Sequence, residues 1–121
     1  MNAHFLTNFN ESFPSFDLVP FVRSLAIIHT IEEINASGFL PGVSLGYLMC
    51  DTCSDATKAL KSVEHMLAVN GSLSIQCDYT EFRPPVKVII GARYSEVSIA
   101  VAKLLGAYMV PQVSYKLLDM L

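Results

Sequence analysis

From Pro20 onward apolar residues recur at three- and four-residue spacing. Phe21, Leu25, Ile28, Ile31 and Ile34 mark one helical face, with a proline accepted in the first turn. Ala36-Ser37-Gly38 ends that helix and Pro41-Gly42 makes a turn. Val43 to Met49 then alternates as a strand does. Ser54 or Asp55 is placed to cap a second helix, whose Ala59, Val63, Met66 and Leu67 form one stripe ending at Asn70-Gly71. A loop carrying Cys77 and Pro84-Pro85 leads to Val86-Lys87-Val88-Ile89-Ile90, a β-branched run of the kind buried inside a parallel sheet. Val97, Ala100, Val101, Leu104 and Leu105 predict a third helix, and Tyr108 to Val113 a last short strand. Residues 1–17 are polar and Phe/Asn-rich without a clear period, and read as an irregular lead-in.

Helix, strand, helix, strand, helix, strand implies an α/β fold with right-handed crossovers and a parallel sheet, here of three strands. Such a sheet leaves two edges and an uncovered flank, so the chain reads as part of a larger domain. Its 121 residues, 52% hydrophobic, suffice for one small core. The net charge of −3, with acids and bases interspersed, offers no basic face for nucleic acid. The longest uncharged stretch, Ile34 to Cys50, is broken by Gly38, Pro41, Gly42 and Gly46 and does not read as a membrane span. The N-terminus lacks the cationic start and apolar core of a signal peptide. Against that stand three N-glycosylation sequons, Asn10-Glu11-Ser12, Asn35-Ala36-Ser37 and Asn70-Gly71-Ser72, which favour a secreted chain.

The candidate chemistry centres on Gly91-Ala92-Arg93-Tyr94-Ser95-Glu96, where a buried-type strand runs into a helix. A helix start offers unpaired N–H groups and a partial positive charge, so a carboxylate or phosphate would be held there, with the Ser95 hydroxyl as a further donor. The competing reading is that Ser95 or Tyr94 only caps the helix. Cys50-Asp51-Thr52-Cys53 ends a strand just before a helix, the placement thiol oxidoreductases use. Asp51 puts negative charge where a thiolate must form, which favours a structural disulfide or a buried thiol. Three cysteines leave at least one unpaired within the chain. Glu32 and Glu33 point about a hundred degrees apart on a helix and form no acid/base dyad. His29 sits four residues before Glu33, within helical reach, and has no second histidine at metal spacing. Asp78 to Glu81 is too sparse for calcium, and Gly91 alone makes no phosphate loop. No metal or cofactor is predicted.

Several segments together carry a family resemblance: Leu25-Ala26-Ile27-Ile28-His29-Thr30-Ile31-Glu32-Glu33-Ile34-Asn35, Leu40-Pro41-Gly42-Val43-Ser44-Leu45-Gly46-Tyr47, Asp51-Thr52-Cys53-Ser54, Val88-Ile89-Ile90-Gly91 with Tyr94-Ser95-Glu96, and Met109-Val110-Pro111-Gln112-Val113-Ser114-Tyr115. In this order and spacing the chain resembles the extracellular ligand-binding (Venus-flytrap) domain of class C G protein-coupled receptors. Within that family it is most similar to the nutrient-sensing branch of basic-amino-acid and cation receptors, fish olfactory receptors, calcium-sensing receptors and taste receptors.

The resemblance implies a three-layer α/β/α parallel sheet of the periplasmic-binding-protein-like I type, with residues 18–115 forming part of a first lobe and 116–121 a divergent tail. It implies that Ser95, with Arg93 and Tyr94 beside it, holds the α-carboxylate of an L-amino acid between two lobes that close on it, with cations as further ligands. It places a homo- or heterodimer interface on the helices near 55–69 and 96–106. Cys77 matches a loop cysteine that links subunits in relatives, and Cys53 one whose usual partner before the first helix has no counterpart in this sequence. The family's leading strand and helix, second lobe, cysteine-rich linker and G protein-coupled membrane domain have no counterpart here, and Lys116-Leu117-Leu118 replaces a ligand-binding segment. The expectation is a non-enzymatic piece of a plasma-membrane receptor, on its extracellular side, that neither signals nor closes by itself. The alternatives are a truncated protein that interferes with full-length receptors, and a secreted thiol oxidoreductase using Cys50 and Cys53.

Overall fold

A computed structural model of the chain describes residues 2–7 and 18–114. The elements run β1 (Asn2–Thr7), α1 (Leu18–Ser37), β2 (Gly46–Asp51), α2 (Ala56–Leu67), β3 (Val88–Ile90), α3 (Ser95–Tyr108) and β4 (Gln112–Val113). The strands form one sheet in the order β2-β1-β3-β4, parallel throughout. This corrects the three-stranded expectation: the stretch read as an irregular lead-in supplies β1, which lies inside the sheet. Asn2-Ala3-His4-Phe5-Leu6-Thr7 has neither alternation nor a β-branched run to announce it. What makes it a strand is pairing on both sides, with Asn2 to Thr7 in register with Gly46 to Asp51 and Ala3 to Phe5 with Val88 to Ile90. The sequon asparagine Asn10 and the tail 116–121 lie outside the described residues.

α1 starts two residues before the predicted Pro20 and stops at Gly38, whose φ of 67° suits a residue without a Cβ. Its inward face is Pro20, Ser24 and Ile31, with Ile28 and Ile34 half-buried. Leu25, assigned to that face from the sequence, is exposed. Ser24 takes the inner position because its hydroxyl donates back to Pro20 O at 2.7 Å, which satisfies it without water.

β2 lies two or more residues later than the alternation suggested, and Asn35 explains the offset. Its Nδ2 donates to Leu45 O and its Oδ1 accepts from Leu45 N–H, each at 2.8 Å. Leu45 therefore spends its backbone groups on a side chain, and strand pairing begins at Gly46.

α2 follows its predicted stripe closely. Asp55 is the N-cap, its carboxylate accepting from Thr57 N–H and Lys58 N–H at 3.3 Å each, and Ala59, Val63, Met66 and Leu67 are all buried. Asp55→Ala is expected to cost about 1 kcal/mol of stability, with Asp55→Asn restoring most of it, as read from urea denaturation midpoints. An unchanged midpoint for the alanine variant would remove the cap from the account.

α3 buries Val97, Val101, Leu105 and Tyr108. Tyr108, predicted to open a strand, is instead the last helical residue. Met109 adopts the left-handed conformation with φ 58°, and its N–H returns to Gly106 O and Leu105 O, so β4 is only two residues long.

The core joins α2, α3, Val86 and Ile89, with Ala92 and Val110 closing it beyond the strand ends. Tyr79, Phe82 and Tyr108 stack against its rim, with ring centroids 4.6 to 5.8 Å apart. No α1 residue belongs to this cluster; α1 meets β1. The chain steps one way from β1 to β2 and the other way from β2 to β3. With right-handed crossovers, that reversal sends α1 to one face and α2 and α3 to the other.

Candidate functional site

In an open parallel sheet, ligands sit beyond the carboxyl ends of adjacent strands whose connections leave to opposite faces. Here those strands are β1 and β3. The turn after β3 is therefore the place to look, and the sequence had singled out the same residues. Gly91 makes the turn possible with φ 128°, a conformation side chains with a Cβ rarely take. Its N–H donates to Val113 O at 2.9 Å, tying the turn to β4. Ala92 is buried beneath the turn.

Tyr94 is the N-cap residue of α3 and makes no side-chain capping bond, while Ser95 is the first helical residue. Regular helical bonding begins where Ser98 N–H donates to Tyr94 O at 2.9 Å. The N–H groups of Ser95, Glu96 and Val97 precede that bond and carry the partial positive charge of the helix start. A crevice of about 230 Å³ reaches this helix start at Ser95, lined by Ala92, Arg93, Ser95, Ser98, Ile99 and Ser114. The structure thus brings Arg93 and Ser95 together at one crevice. Tyr94 stands outside its lining, exposed, with the Arg93 guanidinium 5.3 Å from its ring centroid.

Gln112 is the residue the sequence reading passed over. From the start of β4 its Nε2 donates to Gly91 O at 2.7 Å, and reaches Ser98 Oγ at 3.2 Å and Ser98 O at 3.3 Å. One amide thus pins the turn before the crevice to the helix behind it. The available signal was a long polar side chain set between Pro111 and Val113 at the mouth of a short strand.

The Cys-x-x-Cys lies at the opposite edge of the sheet, at the end of β2. No disulfide joins Cys50, Cys53 or Cys77. Burial pushes the Cys50 thiol up from its ordinary value, which disfavours the thiolate. Cys53 Sγ lies 2.7 Å from Lys58 Nζ and 3.5 Å from Asp51 Oδ2, and its N–H donates to Asp51 Oδ1 at 2.8 Å. Cys77 is exposed on a loop that Tyr79 steadies, its hydroxyl accepting from Gln76 N–H at 2.9 Å and donating to Ser74 O at 3.3 Å. His29 Nε2 and Glu33 Oε1 are 3.5 Å apart and both side chains are exposed, a solvated helical pair. Among the described residues no three His, Cys, Asp or Glu side chains gather as metal ligands, and no helix is long and apolar enough to cross a membrane.

The outer faces of α2 and α3 enclose an apolar groove of about 760 Å³, with Leu60, Leu73, Ile75, Ala100 and Leu104 in its walls. Ile75 at its edge is 94% exposed.

Residues 22–120 match the family described as the receptor family ligand binding region. The chain is 44% identical over 106 residues to the G-protein coupled receptor family C group 6 member A of Bos taurus, a match covering 84% of this chain and 12% of that receptor. It is 41% identical over 95 residues to the taste receptor type 1 member 3 of Mus musculus, covering 76% and 11% respectively. It is 44% identical over 95 residues to the extracellular calcium-sensing receptor of Homo sapiens, covering 74% and 9%. The chain therefore spans about an eighth or less of the length of these relatives.

Proposed function

The chain belongs to the receptor family ligand binding region, a receptor family and not an enzyme family, and on that premise we propose that it is part of the first lobe of an extracellular amino-acid-sensing domain in a class C G protein-coupled receptor. The lobe is a three-layer α/β/α sandwich of the periplasmic-binding-protein-like I type. The observation that carries the reading is the place of Ser95: first residue of α3, on a crevice beyond the carboxyl ends of the parallel strands β3 and β4. Because the helix is entered through Tyr94, the Ser95 side chain is not the cap, and its hydroxyl is placed to join the first-turn N–H groups around a carboxylate. Arg93 adds a cation at the same crevice.

In the intact receptor the α-carboxylate of an L-amino acid is held here, a second lobe closes over it, and the domain faces outward from the plasma membrane. Closure as a rigid-body movement then carries the signal to a membrane domain and its G protein. Cations are further ligands of the same domain. The groove between α2 and α3 favours pairing with a second receptor subunit through the segments near 55–69 and 96–106. The position of Cys77 on an exposed loop is compatible with a link between subunits.

The test is titration of the isotope-labelled chain with L-amino acids, followed by amide resonances. Saturable shifts centred on Ser95, Glu96 and Val97 are expected. Ser95→Ala should weaken the half-saturation point about tenfold, the worth of one hydrogen bond to a charged group. Shifts scattered over the surface, or a serine variant that titrates like the parent, would dismiss the carboxylate site.

A further inference from the structure

We propose that Cys53 and Lys58 form an oxidisable pair, in which a hydroperoxide converts the contact between sulfur and amine into a covalent sulfur–nitrogen bond. The pair is made by the corner between β2 and α2. Cys53 and Ser54 both take positive φ, 51° and 56°, and turn the chain back on itself before the helix begins. Asp55 holds both sides of that corner: its N–H donates to Thr52 O at 2.9 Å, and its carboxylate accepts from Lys58 N–H at 3.3 Å. Cys53 and Lys58 are thereby faced across the turn, and Lys58 Nζ donates to Cys53 Sγ at 2.7 Å. Cys53 is half-buried and Lys58 exposed, so a small oxidant reaches the sulfur from solvent.

Opposite charges meet at that sulfur. The sequence set Asp51 against a reactive thiol, but Lys58 brings its cation nearer, 2.7 Å against 3.5 Å for Asp51 Oδ2. Each group has a use. The S–H donates to Asp51 Oδ2, which can relay the proton as the sulfur attacks, and the amine lies where the oxidised sulfur needs its next partner. Asp51 is held in place by accepting from Cys53 N–H at 2.8 Å. Burial holds the Cys50 thiol up, so the other half of the Cys-x-x-Cys is the poorer competitor for oxidant.

The chemistry closes with one hydroperoxide. Sulfur attacks the terminal peroxide oxygen; the S–O bond forms, the O–O bond breaks, and the thiol proton leaves with the departing oxygen as water or an alcohol. Sulfenic acid results. The Lys58 amine, having given its ammonium proton to solvent, attacks that sulfur as nitrogen nucleophiles do; the S–N bond forms, the S–O bond breaks, and the hydroxyl leaves as water with one amine hydrogen. Sulfur is oxidised by two electrons, and the peroxide takes both. The product is a sulfenamide that clips the end of β2 to the first turn of α2 and that an added thiol reopens. The inference needs no part of the receptor reading, since both partners belong to this chain.

The experiment treats the reduced full chain with hydrogen peroxide and then digests it with trypsin. A linked lysine resists cleavage, so a peptide running from Ser24 to Lys61 should appear, lighter by two hydrogens, and dithiothreitol before digestion should restore the cut after Lys58. Lys58→Arg keeps the positive charge but supplies no amine; it should be cut normally and leave Cys53 as a sulfenic acid that dimedone labels. A chain unfolded in urea should also be cut, because the corner that faces the two groups is gone. Cleavage after Lys58 that peroxide leaves unchanged, with Cys53 found in a disulfide to Cys50 or still carrying sulfenic acid, would overturn the proposal. So would linkage of equal yield in urea, which takes the fold out of the pairing.

Discussion

Leu105→Ala is expected to lower the unfolding free energy of the chain by about 2–5 kcal/mol. Leu105 is 1% exposed and belongs to the cluster that joins α2, α3 and β3. Truncation removes three carbons from a close-packed site, and the cavity left behind adds its own cost because the neighbouring helix relaxes only in part. In a domain whose whole stability is about 5–15 kcal/mol, that loss is a large share. The comparison variant is Ile99→Ala on the same helix, 57% exposed, which should stay within about 0.5 kcal/mol of the parent. Urea melts of the two should separate clearly. Coincident midpoints would mean that α3 does not pack as described.

Gln112→Leu is expected to weaken ligand binding about tenfold or more without touching the ligand. The leucine fills similar space and donates nothing, so Gly91 O and Ser98 Oγ lose the amide that joins them. Leaving such partly buried acceptors unmet costs about 1–3 kcal/mol, and about 1.4 kcal/mol is a factor of ten in affinity. The loss falls on the geometry of the turn that aims the first-turn N–H groups of α3. A positioning role therefore predicts faster hydrogen exchange at Gly91 and Ser98 together with weaker amino-acid titration. Gln112→Glu should be worse than leucine, since it withdraws the donor and sets a negative charge beside a carbonyl. Unchanged exchange at Gly91, with binding intact, would reduce Gln112 to a surface residue.

What could be read from the sequence was what is decided locally. The stripe of Ala59, Val63, Met66 and Leu67 is helical whatever surrounds it, and Asp55 sits where a cap belongs, so α2 was legible almost to the residue. Gly91 to Ser95 was legible because a β-branched run followed by one glycine and a helical pattern has few other outcomes. β1 was hidden because its strand character comes from partners distant in sequence, and β2 was displaced because Asn35 captures the backbone of Leu45 before pairing begins. Leu25 and Ser24 exchange places on α1 since a serine that bonds its own helix costs little to bury. Gln112 was invisible for a related reason. Its role exists only once Gly91 and Ser98 have been brought to it.

The interior position of β1 sets an order of assembly. Ala3 pairs with Val88, so β1 must wait until β3 has left the ribosome before its second edge is met. Local pieces such as α2 and the turn at Asn70 need no such wait. Closing a loop of that length precedes any reward from the pairing, which makes the sheet, and not the helices, the slow step of folding. Until then the emerging chain presents an open parallel edge, the kind of surface on which a chaperone acts or an aggregate begins.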